Sequence, residues 1–370
     1  MSIIGSILSI IAAILILAIL IVLHELGHFT AAKLSKVRVD EFAIGFPPRI
    51  WSFKKGETQY SINALPIGGY VLMPGENGLS QNDNGKIDPR SFAVQPKRKR
   101  AFILSAGIIM NLLIAFVLYT GIFAVSGVPE PNPPPVVSVI MSGTPAQTGG
   151  LQANDKIISM NGVKITSANQ FHNYEITLIN QSSPSAQKIP VTIVVERNGA
   201  DITLKLSMIK NPKNGNGNIG FTFLDPNMSI PLWQAPGYAL QQIFIGNFQL
   251  MGFVFQRVAV GAISIFELFS GPIGIVHTTS EVISSVATQG FTLLFMVVAL
   301  ISWSLALTNI LPIPGLDGGR LLILSIEALR KGKRLSTERE GMINLIGVGF
   351  LLSLIILFTI NDIINIVNGH

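Results

Sequence analysis

Four long apolar runs punctuate the chain, and the segments between them change character each time. Ile3–Leu23 contains 21 residues without a charge, and Ala101–Val125, Phe291–Ile310 and Met342–Ile360 repeat the pattern. As helices, runs of about 20 residues reach across a hydrocarbon layer of roughly 30 Å, so the pattern predicts a polytopic α-helical membrane protein with four spans. After the first run the period changes. Ile50–Phe53 and Tyr60–Asn63 are β-type runs around Lys54-Lys55-Gly56-Glu57, which reads as a hairpin. After the second run, Pro129–Pro135 has five prolines in seven positions and reads as a stiff linker. A soluble domain follows, with strands at Val136–Ile140 and Val191–Val195 and hairpin turns at Asn161-Gly162 and Asn198-Gly199. Tyr238–Phe269 is apolar but carries Gln241, Gln242, Asn247, Gln249, Gln256, Arg257 and Glu267. That many polar groups argue against a span and for helices lying on the outer membrane surface or packed against the other domains.

Composition supports a membrane protein: 49% of residues are hydrophobic, 12% are charged, and mean hydropathy is +0.52. The net charge of +6 need not mean nucleic acid, because the basic residues sort by segment. Twelve Lys/Arg lie between Lys33 and Arg100, six between Arg320 and Arg339, and the remaining eight between Gly127 and Gly290. By the positive-inside rule the first two segments are cytoplasmic and the third is outside, so both termini are outside. Pro96-Lys97-Arg98-Lys99-Arg100 then reads as an orientation anchor, and Gly75–Arg90 and Arg330–Glu340 as cytoplasmic loops. With no cysteine, neither disulfides nor a thiolate metal site can form.

Candidate chemistry sits at the cytoplasmic ends of the first and third runs. In Leu23-His24-Glu25-Leu26-Gly27-His28 the two histidines fall one helical turn apart on one face, where both could bind one Zn²⁺ with Glu25 beside them. Ionisable groups in a spanning helix cost on the order of 2.5–3.5 kcal/mol for the charged types and usually persist where they serve a site. The third run ends in Asn309-Ile310-Leu311-Pro312-Ile313-Pro314-Gly315-Leu316-Asp317. Two prolines force irregular backbone, which is tolerated at membrane depth only where it is buried in protein or lines a polar cavity. Asp317 is the best third ligand, since two histidines and a carboxylate leave an open catalytic position; its other reading is as a cap for the helix that follows. The hairpin has two readings of equal weight, an ordinary surface hairpin or a strand edge on which an extended substrate could pair.

Within the soluble domain, Ser142-Gly143-Thr144-Pro145-Ala146, Gly150-Leu151, Asp155-Lys156-Ile157-Ile158 and Asn161-Gly162 resemble the PDZ module of bacterial envelope proteases. Its groove could dock a peptide or regulator, or act sterically; His172 within it reads as a surface residue. The chain as a whole resembles the site-2 protease family of intramembrane zinc metalloproteases, in its bacterial regulator-of-sigma-E protease branch. The likeness rests on His24-Glu25-Leu26-Gly27-His28, the hairpin through Gly68-Gly69-Tyr70, the PDZ module, Gly271-Pro272-Ile273-Gly274, Asn309 with Pro312, and Leu316-Asp317-Gly318. It implies Zn²⁺ on His24, His28 and Asp317, Glu25 as acid/base, and Asn309 on the substrate backbone beside Pro312. It also implies a membrane-reentrant β-hairpin through Gly45, Trp51, Phe53, Tyr60, Gly68 and Gly69. Two departures are Gly45-Phe46-Pro47-Pro48 where the family often has Gly-Phe-Gly-Pro, and a single PDZ module where some members have two.

The expected organisation is therefore a first transmembrane helix (1–34), the hairpin region and loop (35–100), a second span (101–126), a linker (127–134) and an extracytoplasmic PDZ domain of α+β class (135–225). A membrane-surface helical region (226–289), a third span with its following helix (290–330) and a fourth span (342–366) complete it. The expected location is the bacterial inner membrane. Expected partners are the lipid bilayer and membrane-protein substrates with a transmembrane helix, such as an anti-sigma factor or a signal-peptide remnant, with no nucleic acid. The chief rival is a non-catalytic membrane scaffold with a structural metal, for which the sequence offers no good fourth ligand: His277 lies in an outer segment and His370 is terminal. A transporter is weaker, since no inverted repeat is evident.

Overall fold

The computed structural model describes residues 3–76, 88–183, 187–210, 217–224, 226–259, 271–330 and 337–367. Most of the expected Gly75–Arg90 and Arg330–Glu340 loops, and residues 260–269 of the expected Tyr238–Phe269 helical region with Glu267, fall outside the described residues. The chain forms two compact units, one from Met1–Ile122, Ala235–Leu250 and Phe269–His370, the other from Phe123–Gln234 with Met251–Leu268.

In the first unit the first two helices are α1 (Ile3–Leu34) and α2 (Lys97–Ser126), the last residues of α2 counting to the second unit. Among the described residues, four helical stretches are long and apolar enough to cross a membrane: Ile4–Leu34, Lys97–Ser126, Phe291–Ile310 and Gly341–Ile364. Large apolar side chains such as Leu8, Ile19, Val117 and Leu352 remain more than half exposed or nearly so, which suits a lipid solvent. The buried core sits instead where α1 and α2 meet the β-sheet, around Ala32, Val39, Val71, Phe92, Ile103 and Leu324.

The hairpin is longer than the sequence pattern indicates. Strands β1 (Glu41–Lys55) and β2 (Thr58–Leu72) hold 15 residues each and turn at Gly56. Each bends and is used twice. Residues 41–44 pair on one side with 69–72 and on the other with 59–62, which in turn pair with 51–54. The bends fall where Gly45 (φ 80°) and Gly68 (φ 105°) adopt left-handed backbone, which costs other residue types more. The result is four adjacent runs, with 51–55 at one edge and 69–72 at the other.

The second unit contains short strands β3 (Val128–Pro129) and β4 (Val137–Ile140), helix α3 (Pro145–Thr148), strands β5 (Lys156–Met160) and β6 (Val163–Lys164), and helix α4 (Ala168–Gln181). Strands β7 (Lys188–Arg197), β8 (Ala200–Lys210), β9 (Gly217–Asn218), β10 (Phe221–Phe223) and β11 (Asn227–Met228) follow. One sheet has the order β6-β5-β7-β8-β9, while β10 pairs with β4 and β11 with β3. Its core includes Val137, Ile157, Met160, Phe171, Ile193 and Met208. Both expected Asn-Gly turns are present. The proline-rich stretch is not a free linker: β3 pairs with β11, and the carbonyls of Pro131, Pro133 and Pro135 accept hydrogen bonds from Asn169 Nδ2, Ala168 N and Ile157 N. Proline lacks a donor but keeps its acceptor, so such a stretch can still be tied down.

The remaining helices are α5 (Ala235–Gln241), a π-helical turn (Gln242–Gly246), α6 (Asn247–Ala259), α7 (Pro272–Gln289), α8 (Phe291–Ile310), α9 (Asp317–Leu329) and α10 (Thr337–Val367). Between Ala235 and Leu250 two polar groups turn inward while Gln241 and Gln249 stay exposed: Asn247 is buried, its Oδ1 accepts from Tyr119 and Gln242, and the Ile243 carbonyl accepts from Trp303. Helix α7 packs against α1, α8 and α10. Its N-terminus is held by Asp362 of α10, which accepts from the amides of Gly271 and Gly274. Asp362 therefore lies buried within α10, where the sequence pattern ends the span at Ile360.

Candidate active site

Helix α1 carries His24 and His28 on one face, as their four-residue spacing requires. Asp317 opens α9 just after the broken segment Leu311–Leu316. That segment is clamped at close range: a Cβ at Gly318 would lie 2.3 Å from the Ile310 carbonyl oxygen, and one at Gly319 2.3 Å from that of Ile313. Asp317 is not the cap of α9. Leu316 holds that position, and the Asp317 carboxylate turns to the histidines instead. Its Oδ2 lies 3.2 Å from Nε2 of each, and the two Nε2 atoms lie 3.2 Å apart. All three side chains are at most 13% exposed.

This triangle fits a metal. Nδ1 of His28 is 2.8 Å from the Ile103 carbonyl, which only accepts, so the neutral ring carries its proton there and presents a bare Nε2 lone pair. That lone pair faces Asp317 Oδ2, a buried atom with no hydrogen-bond donor. Acceptors converging out of water repel one another unless a cation lies between them. Tetrahedral zinc with bonds of about 2.0–2.1 Å places its ligands roughly 3.3–3.4 Å apart, close to the separations here. Among the described residues, His24, His28 and Asp317 form the one cluster able to hold an ion in this way.

Glu25 and Asn309 join the three in lining a cavity of about 300 Å³, together with Tyr70–Met73, Glu76, Leu104, Gly315, Leu316 and Arg320. Glu76 and Arg320 form an ion pair at its wall. Gly69 stands against Glu25, since a Cβ there would come within 3.3 Å of Glu25 Cγ. The sheet edge at 69–72 is thus the part of the hairpin that reaches the site. Trp51, Phe53 and Tyr60 form an aromatic row, Phe53 and Tyr60 stacked at 5.1 Å, and belong to the runs 51–55 and 58–62; with Gly45, Gly68 and Pro312 they are not lining residues.

Sequence reasoning missed what α2 contributes. One stripe of that helix backs both imidazoles: Ile103 accepts from His28, Gly107 leaves room for the rings, and Asn111 reaches His24 Nδ1 at 3.1 Å. An asparagine in the middle of an apolar run was the available signal. The basic anchor was also read too simply, because Arg100 is buried and paired with Glu327 of α9 at 2.7 Å. In the second unit, His172 lines a groove of about 440 Å³ between α4 and β10, 3.4 Å from Glu175.

The family model for peptidase family M50 matches residues 12–354. The chain is similar over 97% of its length to the "Putative zinc metalloprotease" of Clostridium acetobutylicum, at 33% identity and covering 98% of that protein. It is 31% identical to the chloroplastic membrane metalloprotease ARASP of Arabidopsis thaliana over 98% of this chain and 80% of the relative. With the zinc metalloprotease RasP of Geobacillus kaustophilus it shares 28% identity, covering 96% and 97%. A match spanning nearly the whole chain, to membrane and zinc metalloproteases alike, accords with four apolar helices and a buried His-His-Asp cluster, and this chain belongs to peptidase family M50, the site-2 proteases, as a zinc metalloprotease of the membrane.

Proposed function

We propose that this protein hydrolyses peptide bonds within or beside the transmembrane segments of other membrane proteins. The observation that carries the reading is the convergence of His24, His28 and Asp317 from two apolar stretches, with Glu25 in the same cavity. His24 and His28 through Nε2, and Asp317 through Oδ2, would hold the metal. Zn²⁺ there supplies a Lewis acid that makes water acidic near neutral pH and polarises a carbonyl. Glu25 takes the proton from the attacking water and returns it to the departing amine. Asn309, on the cavity wall, donates to the substrate backbone.

A helical substrate hides its carbonyls in its own hydrogen bonds, so it must unwind before cleavage. The edge at 69–72, which pairs only with 41–44 among the described residues, offers hydrogen bonds to an extended substrate and offsets part of that cost. Gly69 keeps this edge close to Glu25, and Gly68 supplies the bend that leads into it. Trp51 and Phe53, exposed, with Tyr60 half-buried beside them, serve the membrane-facing side of the sheet, where aromatic surface suits lipid, and Gly45 lies buried at the bend behind them. We read residues 135–225 as an extracytoplasmic PDZ domain, whose groove between α4 and β10 takes a peptide or regulator. Both termini are then outside the bacterial inner membrane, and an anti-sigma factor or a signal-peptide remnant is the expected class of substrate.

The test is cleavage of a reconstituted transmembrane substrate by the full-length protein. Glu25→Gln should lower cleavage on the order of 10²–10⁴-fold while the protein retains zinc. Unchanged cleavage rules out the mechanism.

A further inference from the structure

The two imidazoles that aim Nε2 at Asp317 have their other nitrogens on α2, and the two contacts differ in kind. His28 Nδ1 meets a carbonyl oxygen, that of Ile103, at 2.8 Å. His24 Nδ1 meets the Asn111 amide at 3.1 Å, through Nδ2, while Oδ1 of the same amide has no partner and the residue is fully buried. Position along the helix explains the pairing. Ile103, Gly107 and Asn111 recur every four residues and form one stripe. A Cβ at Gly107 would lie 2.3 Å from His28 Nε2 and 2.7 Å from His24 Nε2, so the stripe lies directly behind the cluster.

For His24 to offer a lone pair at Nε2, its proton must sit on Nδ1, and the atom facing Nδ1 must then accept. Nδ2 is a donor. A half-turn of the amide exchanges Nδ2 and Oδ1 without moving the rest of the side chain, and places an acceptor against Nδ1–H. We propose that Asn111 is the positioning residue for His24, its Oδ1 accepting from Nδ1–H and holding the tautomer that directs Nε2 into the pocket. The backbone that carries it is fixed from a third helix: Ser302 of α8, wholly buried, donates to the Asn111 carbonyl at 2.8 Å. Asn111 does for His24 what the Ile103 carbonyl does for His28. Partners of this kind orient the ring and raise its basicity as a ligand, and their loss typically costs about 10–100-fold in metal affinity.

The inference rests on His24 as a zinc ligand, and the experiment separates the two. Zinc affinity is measured by chelator competition on the full-length protein in detergent micelles, for the unaltered chain and for Asn111→Leu, Asn111→Ala and Asn111→Asp, with helicity checked by circular dichroism. Asp presents acceptor oxygens in both positions, whereas Leu and Ala present none. Acceptance by Oδ1 predicts that Asp binds zinc within a few-fold of the unaltered protein while Leu and Ala lose roughly 10–100-fold. If Asp loses as much as Leu, or if none of the three loses affinity, the role assigned to Asn111 is wrong. If His24→Ala leaves zinc affinity unchanged, the ligand assignment itself fails.

Discussion

His24 and His28 meet Asp317 at 3.2 Å in the helical unit, and His172 meets Glu175 at 3.4 Å in the β-rich unit, yet the two contacts ask for different things. In the first, three buried acceptors converge and one proton is already committed to the Ile103 carbonyl. In the second, one imidazole, 69% exposed, stands beside one carboxylate and keeps access to water. A histidine beside a carboxylate is thus a metal site only where the lone pairs outnumber the protons that could separate them. Where they do not, it is a polar contact on the wall of a groove.

The sharpest way to break this comparison is to remove one carboxylate from each contact. Asp317→Ala should reduce bound zinc from about one equivalent to near none, because two histidines alone leave the site short of the three protein ligands a catalytic zinc needs; Glu175→Ala should leave metal content unchanged, as read by elemental analysis of the purified protein. Next in size is Glu25. Replacing it by Gln removes the proton carrier but none of the converging lone pairs, so turnover should fall on the order of 10²–10⁴-fold with zinc retained.

A steric version of the same contrast uses two glycines of α2. Gly107→Ala places a methyl group 2.3 Å from His28 Nε2, whereas Gly121 has nothing within 4 Å of the same position. Overpacking of this kind costs about 1–3 kcal/mol, so Gly107→Ala should weaken zinc binding and Gly121→Ala should not. The smallest effect belongs to the groove. Burial pushes the Glu175 carboxyl up to about 7, against the opposing pull of His172. A carboxyl raised in the folded state favours its protonated form, so its contribution to stability is present below about 4.5 and is lost as pH rises through about 7. Amide-exchange protection of α4 should fall over that range, and Glu175→Gln should flatten the profile.

Much of the site could be read from the chain because its signals are local. The four-residue spacing of His24 and His28 fixes a helix face, and the two prolines before Asp317 mark broken backbone in an apolar setting. The apolar runs likewise mark the four long helices, with the same bounds at α8 and stopping short of the helix ends elsewhere, as at Leu23 where α1 continues to Leu34. What could not be read depends on pairing at a distance. β1 and β2 bend and change partners midway, so a single hairpin period describes only their outer halves. The proline stretch hides its acceptors, which find Asn169, Ala168 and Ile157 only in the fold. Asn111 and Gly107 sit in a run that reads as uniform span, and only the crossing of α1 and α2, where a Cβ at Gly27 would lie 2.5 Å from the Ala106 carbonyl oxygen, shows why they are there.

Zinc-edge X-ray absorption on the full-length protein tests the central claim most directly. The cluster predicts two imidazole nitrogens and carboxylate oxygen at about 2.0–2.2 Å, with the oxygen contribution reduced and the bound zinc largely lost in Asp317→Ala. A spectrum that is the same with and without the Asp317 carboxylate, at undiminished zinc content, would contradict it.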